Sequence, residues 1–272
     1  MTREARVYAK INLNLRITGT RGKMHTLDSL MHSVSLYDEL TMTVGESGVY
    51  MDGEISPDNI VCKVVEESKK LNLPPLRFDI KKGIPMEAGL GGSSADASCA
   101  IRLIEREFGE MLNPMLFGSD VHFMLNGGLS RVEGVGESLT DYDPLDLHIV
   151  IAKGKGGVST KDAYSLFDKE CNPTQKEVLP LLKHLQNKDF VGAKEYLFND
   201  LEKASKILNP EVQRVLDLMN KFTDLTLMSG SGSSVFGIFE SEQKAKQVEE
   251  YLQDKTEFAK AVRTMSNGVE FI

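Results

Sequence analysis

The sequence predicts an α+β fold, and three observations carry that expectation. Residues 6–17 alternate strictly, with Val7, Ala9, Ile11, Leu13, Leu15 and Ile17 interleaved with Arg6, Tyr8, Lys10, Asn12, Asn14 and Arg16. Period-two alternation over that length marks a strand with one buried face, and it sets Lys10, Asn12 and Asn14 together on the polar side. The second half of the chain, by contrast, is mostly a run of amphipathic helical segments with short joints. Strands and helices do not follow a strict βαβ order, which disfavours a doubly wound sheet.

Each element follows in chain order. "DELTMTV" (38–44) and "LRFDI" (76–80) alternate as strands expected to pair with the first. Between them "SPDNIVCKVVEESKKLN" (56–72) reads as a helix, started by Pro57-Asp58 and striped by Ile60, Val64 and Leu71. A second helix begins near Ser94 to Ala97, with Ala97, Ile101, Ile104 and Phe108 at helical spacing and Gly109 as its stop. "LHIVIAKG" (147–154) is a short apolar strand after Pro144. A domain boundary is expected just before it, giving domains 1–146 and 147–272. Helices are then expected over 160–168, 174–186, 192–208 and 210–222. Strands "DLTLMS" (224–229) and "SVFGIF" (234–239) follow, joined by "GSGS" (230–233). A helix over 242–254 and a strand near "AVRTMS" (261–266) complete the reading.

Composition excludes some function classes. The 272 residues are 41% hydrophobic and 26% charged, enough for one large core or two modest ones. A net charge of −8 argues against a broad nucleic-acid or anionic-membrane footprint, because both need clustered positive charge. A small anion needs only a few local cations and amides. Cys62, Cys99 and Cys171 are far apart, with no CxxC or Cys/His cluster, and read as reduced thiols rather than disulfides or a zinc site. The start "MTREARVYAKINLNL" lacks a signal-peptide apolar block, and no long apolar run occurs, so a cytoplasmic protein is expected. Monomer and homodimer stay equally open.

The stretch richest in chemistry is "IPMEAGLGGSSADAS" (84–98), which places three glycines and three serines directly before and into a helix. Glycine permits positive φ and close approach of a ligand to the main chain. A helix start offers unpaired N–H groups and the positive end of the macrodipole. Together they make an anion site, and phosphate is the commonest metabolic anion. A tight turn with a serine N-cap is the plain structural alternative. Neither the GxxxxGK[ST] phosphate loop nor the dinucleotide fingerprint fits, since the stretch follows several elements and no strand succeeds it in register.

The string "PMEAGLGGSSADAS" resembles the second motif of the GHMP small-molecule kinases. "AKINLNL" resembles their first motif, "MHTLDSL…YDEL" a substrate loop and "DNIV" the segment that meets adenine. "GSDVHF", "GVST", "NDLE" and "MSGSGSSVFG" recur in the family's order. The resemblance implies a two-domain GHMP kinase fold, with an N-terminal half like ribosomal protein S5 domain 2 and a C-terminal ferredoxin-like α/β sandwich. It implies ATP, with Mg²⁺ offsetting the phosphate charge. Gly89, Gly91, Gly92, Ser93 and Ser94 would cradle the phosphates, with Ser94 also an implied ligand of ATP-bound Mg²⁺. Asp58 and Asn59 would lie near adenine and Lys82 near the nucleotide. Asp120 would receive the proton of the attacking hydroxyl or orient it, and Lys10 would stabilise the developing alkoxide. Taken singly, a strand lysine is ordinarily solvated and an aspartate in G-S-D is ordinarily a turn. As a pair around the glycine loop they read as catalytic. Gly230, Ser231 and Gly232 are expected beside the phosphate loop.

The implied acceptor is a hydroxyl of 4-diphosphocytidyl-2-C-methyl-D-erythritol, in non-mevalonate isoprenoid biosynthesis. Asn12 would meet its hydroxylated end, while Met24, His25, Thr160 and Tyr164 would hold the cytidine end. The alternatives are another small alcohol (a sugar, homoserine or a mevalonate-like compound) or an inactive nucleotide-binding paralogue. Four positions depart from the family. Met24 stands where an aromatic would stack on the base, Glu87 replaces a glycine in the phosphate loop, and His122 replaces a proline. Only "GEMLNPMLF" (109–117) separates the loop helix from "GSD", a shortening that bears on the placement of Asp120.

Overall fold

The structure is a computed structural model and describes residues 1–272. In chain order the elements are β1 (Thr2–Arg21), β2 (Met24–Val44), β3 (Gly48–Met51), β4 (Glu54–Ile55), α1 (Ile60–Lys69), β5 (Leu76–Lys81) and α2 (Gly92–Phe108). A 3₁₀ turn at Pro114–Leu116 leads to α3 (Val121–Asn126), β6 (Leu129–Gly134), β7 (Ser138–Tyr142) and β8 (His148–Lys153). There follow α4 (Thr160–Glu170), α5 (Leu179–Gln186), α6 (Phe190–Lys194), α7 (Glu202–Leu208) and α8 (Glu211–Met219). The chain ends with β9 (Thr226–Met228), β10 (Val235–Phe239), α9 (Glu242–Gln253), β11 (Phe258–Arg263) and β12 (Val269–Phe271).

Two sheets organise the molecule. The first runs β12-β1-β2-β5-β3-β4, with β6 also on β2 and β7 on β6; the second runs β11-β8-β10-β9. The second sheet starts at His148, next to the expected boundary at 146/147. The last strand nevertheless returns to the first sheet, pairing Ala5 with Phe271. The first body is thus assembled from both ends of the chain.

β1 and β2 form one long antiparallel ribbon from Thr2↔Thr43 to Arg21↔Met24. Its two-residue turn has Gly22 at φ +63°, the left-handed region a tight hairpin needs. The segment expected to be a substrate loop, "MHTLDSL…YDEL", is therefore strand. "DELTMTV" lies in β2 and pairs with β1 as expected, whereas "LRFDI" forms β5 and pairs with β2 instead.

The alternation in β1 misleads on one point. Its polar side is not solvated: Lys10 is 3% exposed, and Asn12 and Asn14 are fully buried. The register shifts between Tyr8 and Ala9, Asn12 and Asn14, and Ile17 and Gly19. Bulges of this kind re-aim side chains. Ile11 and Leu13 join the larger core of 51 buried residues, while Leu15 and Ile17 join the second core of 19. One strand therefore serves both bodies, and Lys10, Asn12 and Asn14 are its buried polar positions.

Helix starts and stops account for most other differences. α1 is capped by Asn59, whose side chain accepts from Val61 N, rather than by Asp58; Leu71 lies beyond its end and is exposed. α2 begins at Gly92, earlier than expected, and stops at Gly109 in the left-handed conformation, as expected. The helix expected over 174–186 forms only from Leu179. The one expected over 192–208 splits into α6 and α7, because residues 199 and 200 are tied elsewhere: Asn199 Oδ1 accepts from Leu201 N, and the Asp200 carboxylate accepts from Ile17 N and Thr174 N. The final expected strand is shifted to Phe258–Arg263.

Candidate active site

The loop before α2 holds its first turn open. The N-cap is Gly91 at φ +75°, and no side chain caps the helix. The amides of Gly92, Ser93 and Ser94 have no carbonyl one turn back, so they remain available to an anion at the positive helix end. The serine N-cap alternative is thereby replaced by a glycine cap. Glycine is required on packing grounds too. A Cβ on Gly89 would collide with the Ser229 carbonyl, and one on Gly91 would lie 3.1 Å from Lys10 Cγ and 3.2 Å from Met124 Cε.

The loop is anchored from both bodies. Lys10 N donates to Leu90 O at 3.0 Å, tying it to β1. From the second sheet, Ser233 N donates to Glu87 O at 3.2 Å, Ser234 N to Ala88 O at 3.1 Å and Ser229 Oγ to Gly89 O at 3.1 Å. The "GSGS" turn thus packs on the glycine-rich loop as expected, with Gly230 and Ser231 lining the cleft. Glu87 takes φ +50°, at the position where the resembled motif carries glycine. Its carboxylate lies against Gly157, in space that any Cβ there would fill.

Lys10 and Asp120 converge beside this loop, with Lys10 Nζ 3.4 Å from Asp120 Oδ2. Lys10 Nζ also donates to Asn12 Oδ1 at 2.6 Å. Asp120 stands at the N-cap of α3, and its side chain makes no cap hydrogen bond, so the carboxylate is not consumed by the helix. The short segment before it still delivers it. Asn113 caps the 3₁₀ turn through Met115 N, while Leu112 and Phe117 are buried.

These groups line one cleft of about 830 Å³. Asp58, Asn59, Lys82, Gly89, Gly91, Gly92, Ser93, Ser94, Asn12, Thr160 and Tyr164 all line it, whereas Met24 and His25 do not. Met24 is 50% exposed at the hairpin end. His25 stacks on Tyr164, centroids 4.5 Å apart and planes 21° apart, and its Nε2 pairs with Asp168 Oδ1 at 2.7 Å. Burial first, and the Asp120 charge second, push the Tyr164 phenol up, so it stays neutral. Thr160 Oγ1 and Ser231 Oγ are 2.9 Å apart.

Lys82 is more committed than the sequence suggested. Its Nζ donates to Asp38 Oδ2 at 2.5 Å and Asp96 Oδ2 at 2.9 Å. Asp38 Oδ1 accepts from Gly83 N and Ile84 N, so the cluster ties β2, the approach to the loop and α2 together. Burial pulls the ammonium down, but the two carboxylates outweigh it and Lys82 is raised. Burial likewise raises Asp96, against the pull of Lys82. Sequence reading missed Asp38 and Asp96 because nothing local links positions 38, 82 and 96. The only available signal was two acidic residues within strand and helix patterns otherwise facing the core.

Known proteins share both sequence and fold with this chain. Residues 59–120 match the GHMP kinases N terminal domain, and residues 181–257 match GHMP kinases C terminal. A Desulfitobacterium hafniense (strain Y51) protein named 4-diphosphocytidyl-2-C-methyl-D-erythritol kinase is 35% identical, across 96% of this chain and 95% of that protein. A crystal structure of 4-(cytidine 5'-diphospho)-2C-methyl-D-erythritol kinase superposes with a TM-score of 0.81 at 27% identity, covering 97% of this chain and 99% of the other. Homoserine kinase from Cytophaga hutchinsonii shares the fold, with a TM-score of 0.71 at 18% identity, covering 100% and 97%. The chain belongs to the GHMP kinase family. It is an ATP-dependent small-molecule kinase with that family's two-domain α+β fold.

Proposed function

We propose that this kinase transfers the γ-phosphoryl group of ATP to a hydroxyl of 4-diphosphocytidyl-2-C-methyl-D-erythritol, a step of non-mevalonate isoprenoid biosynthesis. The single observation that carries the chemistry is the Lys10–Asp120 pair, 3.4 Å apart in the cleft that the uncapped start of α2 also lines. The substrate reading rests on similarity to the D. hafniense protein over nearly the whole chain. Tyr164, which lines the cleft with His25 stacked on its ring, supplies an aromatic end for the base.

Phosphoryl transfer needs positioning and charge stabilisation more than covalent chemistry. The amides of Gly92, Ser93 and Ser94 hold the phosphates. Asp120 orients the acceptor hydroxyl and receives its proton as the oxygen bonds to the γ-phosphorus. The bond from that phosphorus to the bridging oxygen breaks, and ADP leaves with the electron pair. Lys10 stabilises charge on the entering oxygen. Asp58 and Asn59 lie towards the adenine, and Lys82 supports the loop rather than the phosphates. No cluster of three or more His, Cys, Asp or Glu is placed to hold a metal. Ser94, which lines the cleft at the start of α2, would be the protein ligand of an Mg²⁺ carried by ATP, and the ion would supply charge neutralisation when bound. No helix is long and apolar enough to cross a membrane. The reading takes the enzyme as cytoplasmic, monomeric or homodimeric, and acting on a small molecule rather than nucleic acid.

One observation favours a second reading, a different small alcohol. The His25 and Tyr164 rings are 4.5 Å apart and leave no gap for a base between them, and Met24 supplies no stacking ring. ADP release measured with 4-diphosphocytidyl-2-C-methyl-D-erythritol, homoserine, mevalonate and galactose separates the two. Turnover with the cytidine compound alone supports the first reading. Preference for any of the others replaces it.

A further inference from the structure

We propose that Ser29 is a positioning residue for Lys10, acting through the side-chain amide of Asn12. The inference rests on the reading of Lys10 and Asp120 as the catalytic pair. Ser29 sits on β2 and is fully buried, as is Asn12. Its Oγ donates to Asn14 O at 2.6 Å. A serine hydroxyl has one proton to give, so the contact between Ser29 Oγ and the Asn12 amide at 2.8 Å must run the other way, with Asn12 Nδ2 donating. That fixes which end of the amide faces which neighbour. The oxygen is turned to Lys10 Nζ, which donates to it at 2.6 Å. A flipped amide would set an NH₂ against an ammonium, two donors with no acceptor between them.

Both flanks of the chain of contacts are fixed. Asn14 Oδ1 accepts from Leu30 N at 3.0 Å, and its Nδ2 donates to Val178 O at 3.0 Å, so the carbonyl that receives Ser29 is held on a braced residue. Asn12 N donates to Ser229 Oγ at 3.2 Å, which in turn donates to Gly89 O at 3.1 Å in the phosphate loop. The register shift between Asn12 and Asn14 lets both side chains work from one strand.

The functional consequence concerns Asp120. Lys10 stands 3.4 Å from Asp120 Oδ2 but 2.6 Å from Asn12 Oδ1. The amide oxygen holds the ammonium, so the carboxylate is left able to accept a substrate proton. Without an oriented acceptor, the flexible lysine closes on Asp120 as a full ion pair and occupies the oxygen the hydroxyl needs. Ser29 thereby sets the separation of the catalytic pair without touching substrate.

The test is a double-mutant cycle with a conservative rescue. Ser29→Ala is expected to lower kcat by about 30-fold while leaving the KM for ATP within about twofold. Ser29→Thr keeps the hydroxyl and is expected to restore kcat to within about threefold of wild type. Ser29→Ala added to Asn12→Ala is expected to cost no more than about a further twofold, since Ser29 acts only through that amide. A structural role predicts instead additive losses that track the thermal midpoint. A readout independent of turnover follows the εCH₂ resonance of Lys10 in ¹³C-lysine-labelled protein, which moves in Ser29→Ala and returns in Ser29→Thr. If wild type fails to phosphorylate any alcohol, the proposed reaction falls, and the Lys10 resonance still decides the positioning role. An unchanged resonance, full kcat in Ser29→Ala, or additive loss in the cycle would overturn it.

Discussion

The phosphate loop (84–98) and the β1–β2 ribbon meet at Lys10, yet they build their halves of the site by opposite means. In the proposed function the loop binds with main chain. Its amides are neighbours in sequence, Gly89 and Gly91 take positive φ, and no side chain caps the helix start. The ribbon works with the side chains of Lys10 and Asn12 on β1 and of Ser29, which meets Asn12 only because β2 pairs with β1 across a hairpin with irregular register. A main-chain site is local and tolerates side-chain drift. A side-chain network is non-local and depends on every member being present and oriented.

The contrast can be broken most sharply at the carboxylate. Asp120→Asn is expected to lower kcat by about 10³-fold while ATP affinity, measured by titration calorimetry, stays within about threefold, since the proposed phosphate site is the loop. Equal losses in both would merge the two regions into one functional unit. Gly91→Ala tests the other half. Its Cβ meets Lys10 and Met124 at 3.1 and 3.2 Å from a left-handed backbone, so about 1–3 kcal/mol of destabilisation is expected, with a raised KM for ATP.

The same division explains what was legible in the sequence. The α+β class, the long first strand and α2 with its glycine stop follow from periodicity and backbone chemistry, which are local. So does the packing of "GSGS" on the loop, through the motif order. The burial of Lys10, Asn12 and Asn14 was not legible, because alternation reports a face and not what covers it. The helix expected over 192–208 failed for a related reason. Asn199 donates to Met228 O and Gly230 O, and such tertiary bonds leave no periodic trace. Met24 and His25 were placed by resemblance to a substrate loop, and β2 sets them at a hairpin end, outside the cleft lining.

Smaller effects sharpen the comparison further. His32 is buried on β2, and its Nε2 accepts from Leu145 N at 3.0 Å. Burial lowers it from 6.5 to about 4, so the folded state keeps it neutral. Its contribution is complete above the unfolded value and is lost as pH falls from 6.5 towards 4. Denaturant unfolding at pH 7 and pH 4 is expected to differ by up to about 3 kcal/mol from this residue, and His32→Asn should flatten that dependence. An unchanged slope would remove the ribbon's acid sensitivity from His32. At the small end, Glu87→Gly relieves a positive φ in a segment bound through its carbonyl. A gain of about 1 kcal/mol in stability with no change in the KM for ATP is expected, since the proposed phosphate contacts are the amides of Gly92, Ser93 and Ser94. A lost ATP affinity would show that the carboxylate takes part.

The most direct test is a crystal structure with a non-hydrolysable ATP analogue and 4-diphosphocytidyl-2-C-methyl-D-erythritol bound together. The γ-phosphate is expected within hydrogen-bonding reach of the Ser93 and Ser94 amides, with one acceptor hydroxyl between Asp120 and Lys10. A triphosphate seated away from the start of α2, or an acceptor hydroxyl remote from Asp120, would contradict the account.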